Sequence, residues 1–307
     1  MSHHLLRTGD PARIRLIGLL CLLLGAVLFS SKGIIIKLAY RYEVSSISLL
    51  GLRMIFSLPL FLLIAHFRSG DRATRAPMTV ADFFTIVVLG VVGYYLASYA
   101  DFLGLRYLSA GMERVILFTY PTMVLLLQRL VFGTPIRRVQ WIATGICYLG
   151  IVVAFGGSDL RVGSGFATGA GFIFLSALLY SAYMIGSGRL APRLGNVRFT
   201  SLALITASLS VILHVMLSSD PLLGLPVAVY VYGGVMAVFC TVIPSYLVTE
   251  GVRRLGAGDA AIIGAVGPVA TIVLEYVVLH EHMNLLQGLG AALIISGVVV
   301  IGRSKGR

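Results

Sequence analysis

The sequence predicts an all-α polytopic membrane protein, with ten transmembrane helices arranged as two inverted five-helix repeats. Composition is the first reason: 58% of the residues are hydrophobic and 12% charged, with a mean hydropathy of +0.96, whereas soluble chains carry about 25% charged residues. The second is a stretch written twice. LRYLSAGMERVILFTYP, Leu105 to Pro121, returns as VRRLGAGDAAIIGAVGP, Val252 to Pro268, at a constant offset of 147 residues. Third, each copy contains five apolar segments of the roughly 20 residues that span a bilayer as a helix. An odd number of spans starts the second copy on the opposite side of the membrane, so the halves are inverted.

The register of the duplication holds well beyond that stretch. Ser98 and Tyr99 pair with Ser245 and Tyr246, Gly104 with Gly251, Gln140 with Gln287 and Gly150 with Gly297. The first spans match at an offset of 151, aligning Gly18, Ala26, Phe29 and Ser30 with Gly169, Ala177, Tyr180 and Ser181. The early loops therefore differ in length by a few residues.

In chain order, residues 1–12 form a polar tail and 13–157 the first repeat. Its spans run over Ile14–Ile36, Ser45–Phe67, Phe83–Leu105, Met112–Phe132 and Val139–Phe155. Pro59 predicts a kink in the second, tolerated in lipid when neighbouring groups satisfy the freed carbonyl. Residues 158–165 are a glycine-rich linker. The second repeat, 166–302, has spans over Phe166–Gly186, Phe199–Leu217, Val227–Glu250, Ala260–Leu279 and Leu285–Gly302, before a basic tail, 303–307.

Charge orients these spans. With the N-terminus in the cytoplasm, seventeen Arg and Lys residues fall on the inner side, against Lys37, Arg41, Arg106, Arg114 and Arg161 outside. That bias predicts both termini in the cytoplasm and accounts for the net charge of +12 without nucleic acid. No small-residue cleavage site follows the first apolar run, so it reads as a retained span rather than a signal peptide. Cys21, Cys147 and Cys240 lie in apolar runs, without disulfide or metal spacing.

The segment LEYVVLHEHMNLLQGLGAALIISGVVVIG, Leu274 to Gly302, carries an acid, Glu281, before a Q..G helix start at Gln287 and Gly290, and a late Gly297. An AG-to-P helix occurs in both halves, at Ala110, Gly111 and Pro121 and at Ala257, Gly258 and Pro268. In these features the chain resembles the EamA-type repeats of the drug/metabolite transporter superfamily, over nearly its whole length, and is most similar to the YddG-type aromatic amino acid exporters. The resemblance implies a secondary carrier exporting small amphipathic metabolites, including aromatic amino acids, across the bacterial inner membrane. It departs from the family pattern at Thr134, which stands where the second half has Glu281.

Substrate-binding candidates are aromatic and hydroxyl side chains, which offer an apolar face and a polar tip in a partly dry cavity: Phe29, Ser30, Tyr95, Ser98, Tyr99, Tyr180, Tyr183 and Tyr246. Tyr95 and Tyr99 share a helix face, as do Tyr180 and Tyr183; the competing explanation for any one tyrosine is an interfacial aromatic belt. Charges within spans are expensive and therefore functional candidates. Lys32, Arg53, Asp101 and Glu113 form an expected outer gating network; all but Arg53 are placed in outermost turns, where snorkelling is cheap. Glu275 is the coupling candidate, facing Gln128 in the first half, and mid-span Pro121 and Pro268 are expected bends.

A broad-specificity drug or metabolite carrier is the alternative within transport. From other classes, a channel and an intramembrane enzyme stand beside it; no HExxH, GxSxG, paired mid-span aspartates or GxxxxGK[ST] occurs in the sequence. His280 and His282 bracket Glu281, but i and i+2 side chains share a face only in a strand, so no metal and no cofactor is expected. The expected partners are a small-molecule substrate and the lipid bilayer, without nucleic acid, and the protein is expected to work as a monomer.

Overall fold

The computed structural model describes residues 11–67, 77–155, 165–218, 220, 222–279 and 285–304. The first repeat comprises α1 (Pro11–Tyr40), α2 (Ser46–Phe67), α3 (Val80–Gly104), α4 (Ala110–Phe132) and α5 (Arg138–Phe155). In the second repeat follow α6 (Phe166–Leu194), α7 (Asn196–Leu217), α8 (Val227–Leu255), α9 (Ala257–Ile263 then Val266–Leu279) and α10 (Leu285–Arg303). Among the described residues, nine helices are long and apolar enough to cross a membrane, and α5 has a shorter apolar stretch, Arg138–Ala154. The expected linker around 158–165 and the His280–His282 pair with Glu281 fall largely outside the described residues.

Several helices outrun the spans that hydropathy delimits, α8 among them, which continues to Leu255. α1 continues to Tyr40 and α6 to Leu194, because hydropathy marks the edge of the apolar layer, not the end of the backbone ladder. In α6 the extra turns carry Arg189, whose guanidinium lies 3.2 Å over the Phe132 ring, and Arg193, ion-paired with Asp82 at the start of α3. That start is fixed by a capping box: Thr79 Oγ1 accepts from Asp82 N–H at 3.1 Å and Asp82 Oδ2 from Thr79 N–H at 2.9 Å.

The molecule is apolar on the outside. Leu16, Leu20, Leu24, Phe84, Leu130, Val152 and Leu213 are exposed, while Ser57, Ser176, Ser187, Ser208, Thr249 and Thr271 are buried. Small polar residues between helices are the packing material of a protein in lipid, where contact and hydrogen bonding replace the hydrophobic drive.

The closest helix contacts are themselves duplicated. A Cβ on Gly104 in α3 would stand 3.0 Å from Gly169 O in α6, and one on Gly251 in α8 would stand 3.0 Å from Gly18 O in α1. The repeat offsets convert the first contact into the second. Between α5 and α10, a Cβ on Gly150 would meet Gly290 O at 2.7 Å and one on Gly297 would meet Ala143 O at 2.9 Å. Low-numbered residues of α5 thus meet high-numbered ones of α10: these repeat-equivalent helices pack antiparallel, through a contact that maps onto itself. We expect Gly150→Val or Gly297→Val to cost about 1–3 kcal/mol or more by overpacking, seen as a lower thermal midpoint of the purified protein. Gly145→Ala, which meets nothing within 4 Å, should leave it unchanged or slightly raised.

Candidate functional site

Four helices of the centre are irregular, at matched places. α3 contains a π-helical turn over Val91–Leu96 and α8 one over Val238–Val242. α4 is broken between Leu117 and Tyr120, and α9 between Ile263 and Val266. Each break falls one turn before a proline, Pro121 or Pro268, whose missing N–H and bulky ring remove the ladder bond there. A serine ties each bend to a neighbouring helix. Ser30 Oγ donates to Ala26 O at 2.7 Å and lies 3.0 Å from Gly267 O; Ser181 Oγ lies 2.7 Å from Ala177 O and 3.3 Å from Tyr120 O. These carbonyls immediately precede the two prolines, so both bends are held by the same bond.

Between the broken helices lies a cavity of about 980 Å³, counting the part continuous with solvent. Its walls are aromatic: Phe29, Tyr94, Phe118, Tyr120 and Tyr180. Tyr180 meets Tyr120 edge-on at 5.6 Å, and Tyr120 in turn donates its hydroxyl to Ala261 O at 3.0 Å. Leu22, Met184, Val248 and Ala260 line the other end with aliphatic surface.

Charge collects at one end only. Lys32 Nζ lies 2.6 Å from Asp101 Oδ2, with Asp101 1% exposed. Arg114 Nε lies 2.9 Å from Glu113 Oε2, and Arg114 also donates to Phe29 O at 3.2 Å. Glu113 is fully buried and close enough to Asp101 for the two carboxylates to interact electrostatically. Arg53 is 3% exposed, lines the cavity, and lies 5.0 Å from the centre of the Phe102 ring. Arg53 Nε and one terminal nitrogen, Asp101 Oδ1 and both Glu113 oxygens have no hydrogen-bond partner. These residues do not snorkel: the helices around α3 and α4 enclose them inside protein rather than at an interface.

The cavity gathers Phe29, Ser30, Lys32, Arg53, Ser98, Asp101, Tyr180 and Pro268 from the sequence candidates. Others go elsewhere. Tyr95 hydrogen-bonds His214 Nδ1 at 3.0 Å and Tyr99 packs edge-on against the same ring at 5.0 Å; both face α7. Tyr246 bonds Ser201 Oγ at 2.7 Å and packs on Phe61. Tyr183 stands behind the wall, edge-on to Tyr94 at 4.7 Å and stacked on Tyr180 at 6.2 Å. Pro121 is buried at the head of the second segment of α4, and the side chain of Glu275 is outside the described set. Sequence reasoning missed Tyr94, Phe118 and Tyr120. Tyr95 and Tyr99 do share a helix face, but it is the one against His214; the cavity face of α3 is that of Tyr94, Ala97, Ser98 and Asp101.

Ion pairs also join elements at the opposite end. Asp259, at the start of α9, pairs with Arg137 before α5 and accepts from Gln140 Nε2 at 2.9 Å, while within α8 Glu250 holds Arg253 and Arg254. Removing one member of a buried pair strands the other, at a cost of about 3–5 kcal/mol. Asp101→Asn should therefore lower the thermal midpoint sharply, and Lys32→Met in the same chain should restore much of it, giving a double-mutant cycle with positive coupling.

Comparison with known proteins agrees with this architecture. Residues 16–156 and 167–303 each match the model of the EamA-like transporter family. The uncharacterized transporter YcbK of Bacillus subtilis is 31% identical over 95% of this chain and 96% of its own. The uncharacterized transporter sll1319 of Synechocystis is 24% identical over 96% and 95%. A solved crystal structure that is 19% identical superposes with a TM-score of 0.71, covering 95% of this chain and 98% of that one, which speaks to the fold. The match of both halves, together with paired bends around one central cavity, makes this chain a member of the EamA-like transporter family, a multi-pass membrane transporter of the drug/metabolite type.

Proposed function

We propose that the protein is a secondary carrier that exports small amphipathic metabolites, amino acids with aromatic side chains among them, across the bacterial inner membrane. It has ten spans in two inverted repeats, both termini in the cytoplasm, and works as a monomer by alternating access about the central cavity. The observation that carries this reading is the cavity itself: aromatic walls for an apolar body, charged groups confined to one end, and matched bent helices on either side. Inverted repeats around a site near the midplane are the architecture of rocking carriers. The antiparallel self-contact of α5 and α10 supports the inversion, and the two serine-tied bends provide equivalent moving parts for the two sides. Aromatic side chains suit the walls because edge-on ring contacts add about 0.5–1.5 kcal/mol beyond burial.

Counterflow in proteoliposomes tests the reading. Vesicles loaded with unlabelled phenylalanine should accumulate labelled phenylalanine transiently and saturably, and assays with and without an imposed pH gradient will reveal any proton coupling. Absence of uptake of any amino acid under both conditions would sink the substrate assignment, and single-channel conductance would replace the carrier by a channel. Within the carrier, Tyr180→Ala should raise the half-saturation concentration by about tenfold, one lost aromatic contact. Tyr99→Phe, on the α7 side, should leave it unchanged.

A further inference from the structure

Arg53 is the open charge of the site. It sits two turns into α2, 3% exposed, on the cavity wall, and is in no ion pair among the described residues. Its Nε and one terminal nitrogen have no hydrogen-bond partner. A buried, unpaired guanidinium is among the most expensive arrangements a membrane protein can hold. The ring of Phe102, 5.0 Å away, offsets part of that by cation–π attraction, but supplies no acceptor.

No neighbouring side chain hydrogen-bonds it. Asp101 is close enough to act on it electrostatically, but its contact is with Lys32, through Oδ2 at 2.6 Å, and Glu113 lies against Arg114 at 2.9 Å. Three cations thus face two anions, and the remaining neighbours on the wall, Tyr94, Ser98, Cys240 and Thr241, are neutral. Across the cavity stand Phe118, Tyr120 and Tyr180. The complementary molecule therefore has one negative group and an apolar body, and the planar fork of a guanidinium matches a carboxylate in a bidentate pair.

We propose that Arg53 is the receptor for the carboxylate of the transported molecule, so that the carrier takes carboxylate-bearing amphipathic solutes and rejects their uncharged and purely cationic analogues. The proposal rests on the carrier reading for its biological meaning, but its test does not need transport. The full-length protein, purified in detergent, is melted alone and with phenylacetate, phenylacetamide, phenethylamine or sodium phosphate.

Phenylacetate should raise the thermal midpoint saturably, while the amide, the amine and phosphate leave it unmoved. In Arg53→Gln the apparent dissociation constant for phenylacetate should rise by about 10- to 100-fold, the worth of a charge-assisted hydrogen bond. Arg53→Lys keeps the charge without the fork and should fall between the two. Should Arg53→Gln fail to fold, Arg53→Lys still decides, because unchanged affinity in it would overturn the bidentate pairing.

Other results that overturn the proposal are an equal shift from the amide or the amine, an equal shift from phosphate, no shift from phenylacetate, or a shift that survives in Arg53→Gln. If counterflow fails while the Arg53-dependent shift stands, the amino acid assignment is lost and the anion site is kept. If counterflow succeeds with Arg53→Gln at wild-type affinity, the carrier stands and the receptor does not.

Discussion

The constraint on which the rest of the structure depends is the burial of four charged side chains, Arg53, Asp101, Glu113 and Arg114, with the partly buried Lys32 beside them, inside a protein whose outer surface is hydrocarbon-like. Each such charge at mid-helix costs about 2.5–3.5 kcal/mol on insertion scales, and the cost is contained only where opposite charges are brought to within contact. That requirement fixes where α1, α3 and α4 meet, since Lys32–Asp101 and Glu113–Arg114 lie at their junction. Small residues line the seam. Gly33 faces Glu113, and a Cβ there would stand 3.6 Å from its carboxylate oxygen.

Backbone symmetry and chemical asymmetry meet in the same cavity. The prolines, the serine bonds to the bends, the π turns and the glycine contacts occur in both halves. The charges occur in one. Asp101 has Val248 as its counterpart, Glu113 has Ala260 and Arg114 has Ala261; Asp101, Arg114, Val248 and Ala260 all line the cavity. The duplicated backbone makes a symmetric chamber whose one end is polar and whose other end is apolar. A molecule crossing it exchanges one kind of surface for the other along its path.

Much of this was legible in the sequence, for identifiable reasons. Repeats are a property of the letters, so the 147-residue offset locates Pro121 and Pro268 without coordinates, and the helices around them break where a residue lacking N–H must break them. Charges in apolar runs are equally visible, and Lys32, Arg53 and Asp101 do converge on the cavity. Which tyrosine points inward was not legible. Periodicity tells which residues share a face, not which face the cavity takes: Tyr95 and Tyr99 do share one, and it turns toward His214, while Tyr94, Ala97, Ser98 and Asp101 form the face on the cavity wall. Helix length was hidden as well, since Arg189 and Arg193 leave the apolar layer while α6 continues.

The two wide turns carry a consequence of their own. A π turn is an α-helix with one residue too many, normally a costly defect that survives where it is useful. Val91 and Val238, where the two turns begin, are separated by the same 147 positions as the rest of the repeat. Independent insertion at both places is a far less economical history than a single one. The extra residue is best dated to the ancestral half-length chain, before it was copied: an ancestor that already carried the irregularity, and had only a second copy of itself to pack against.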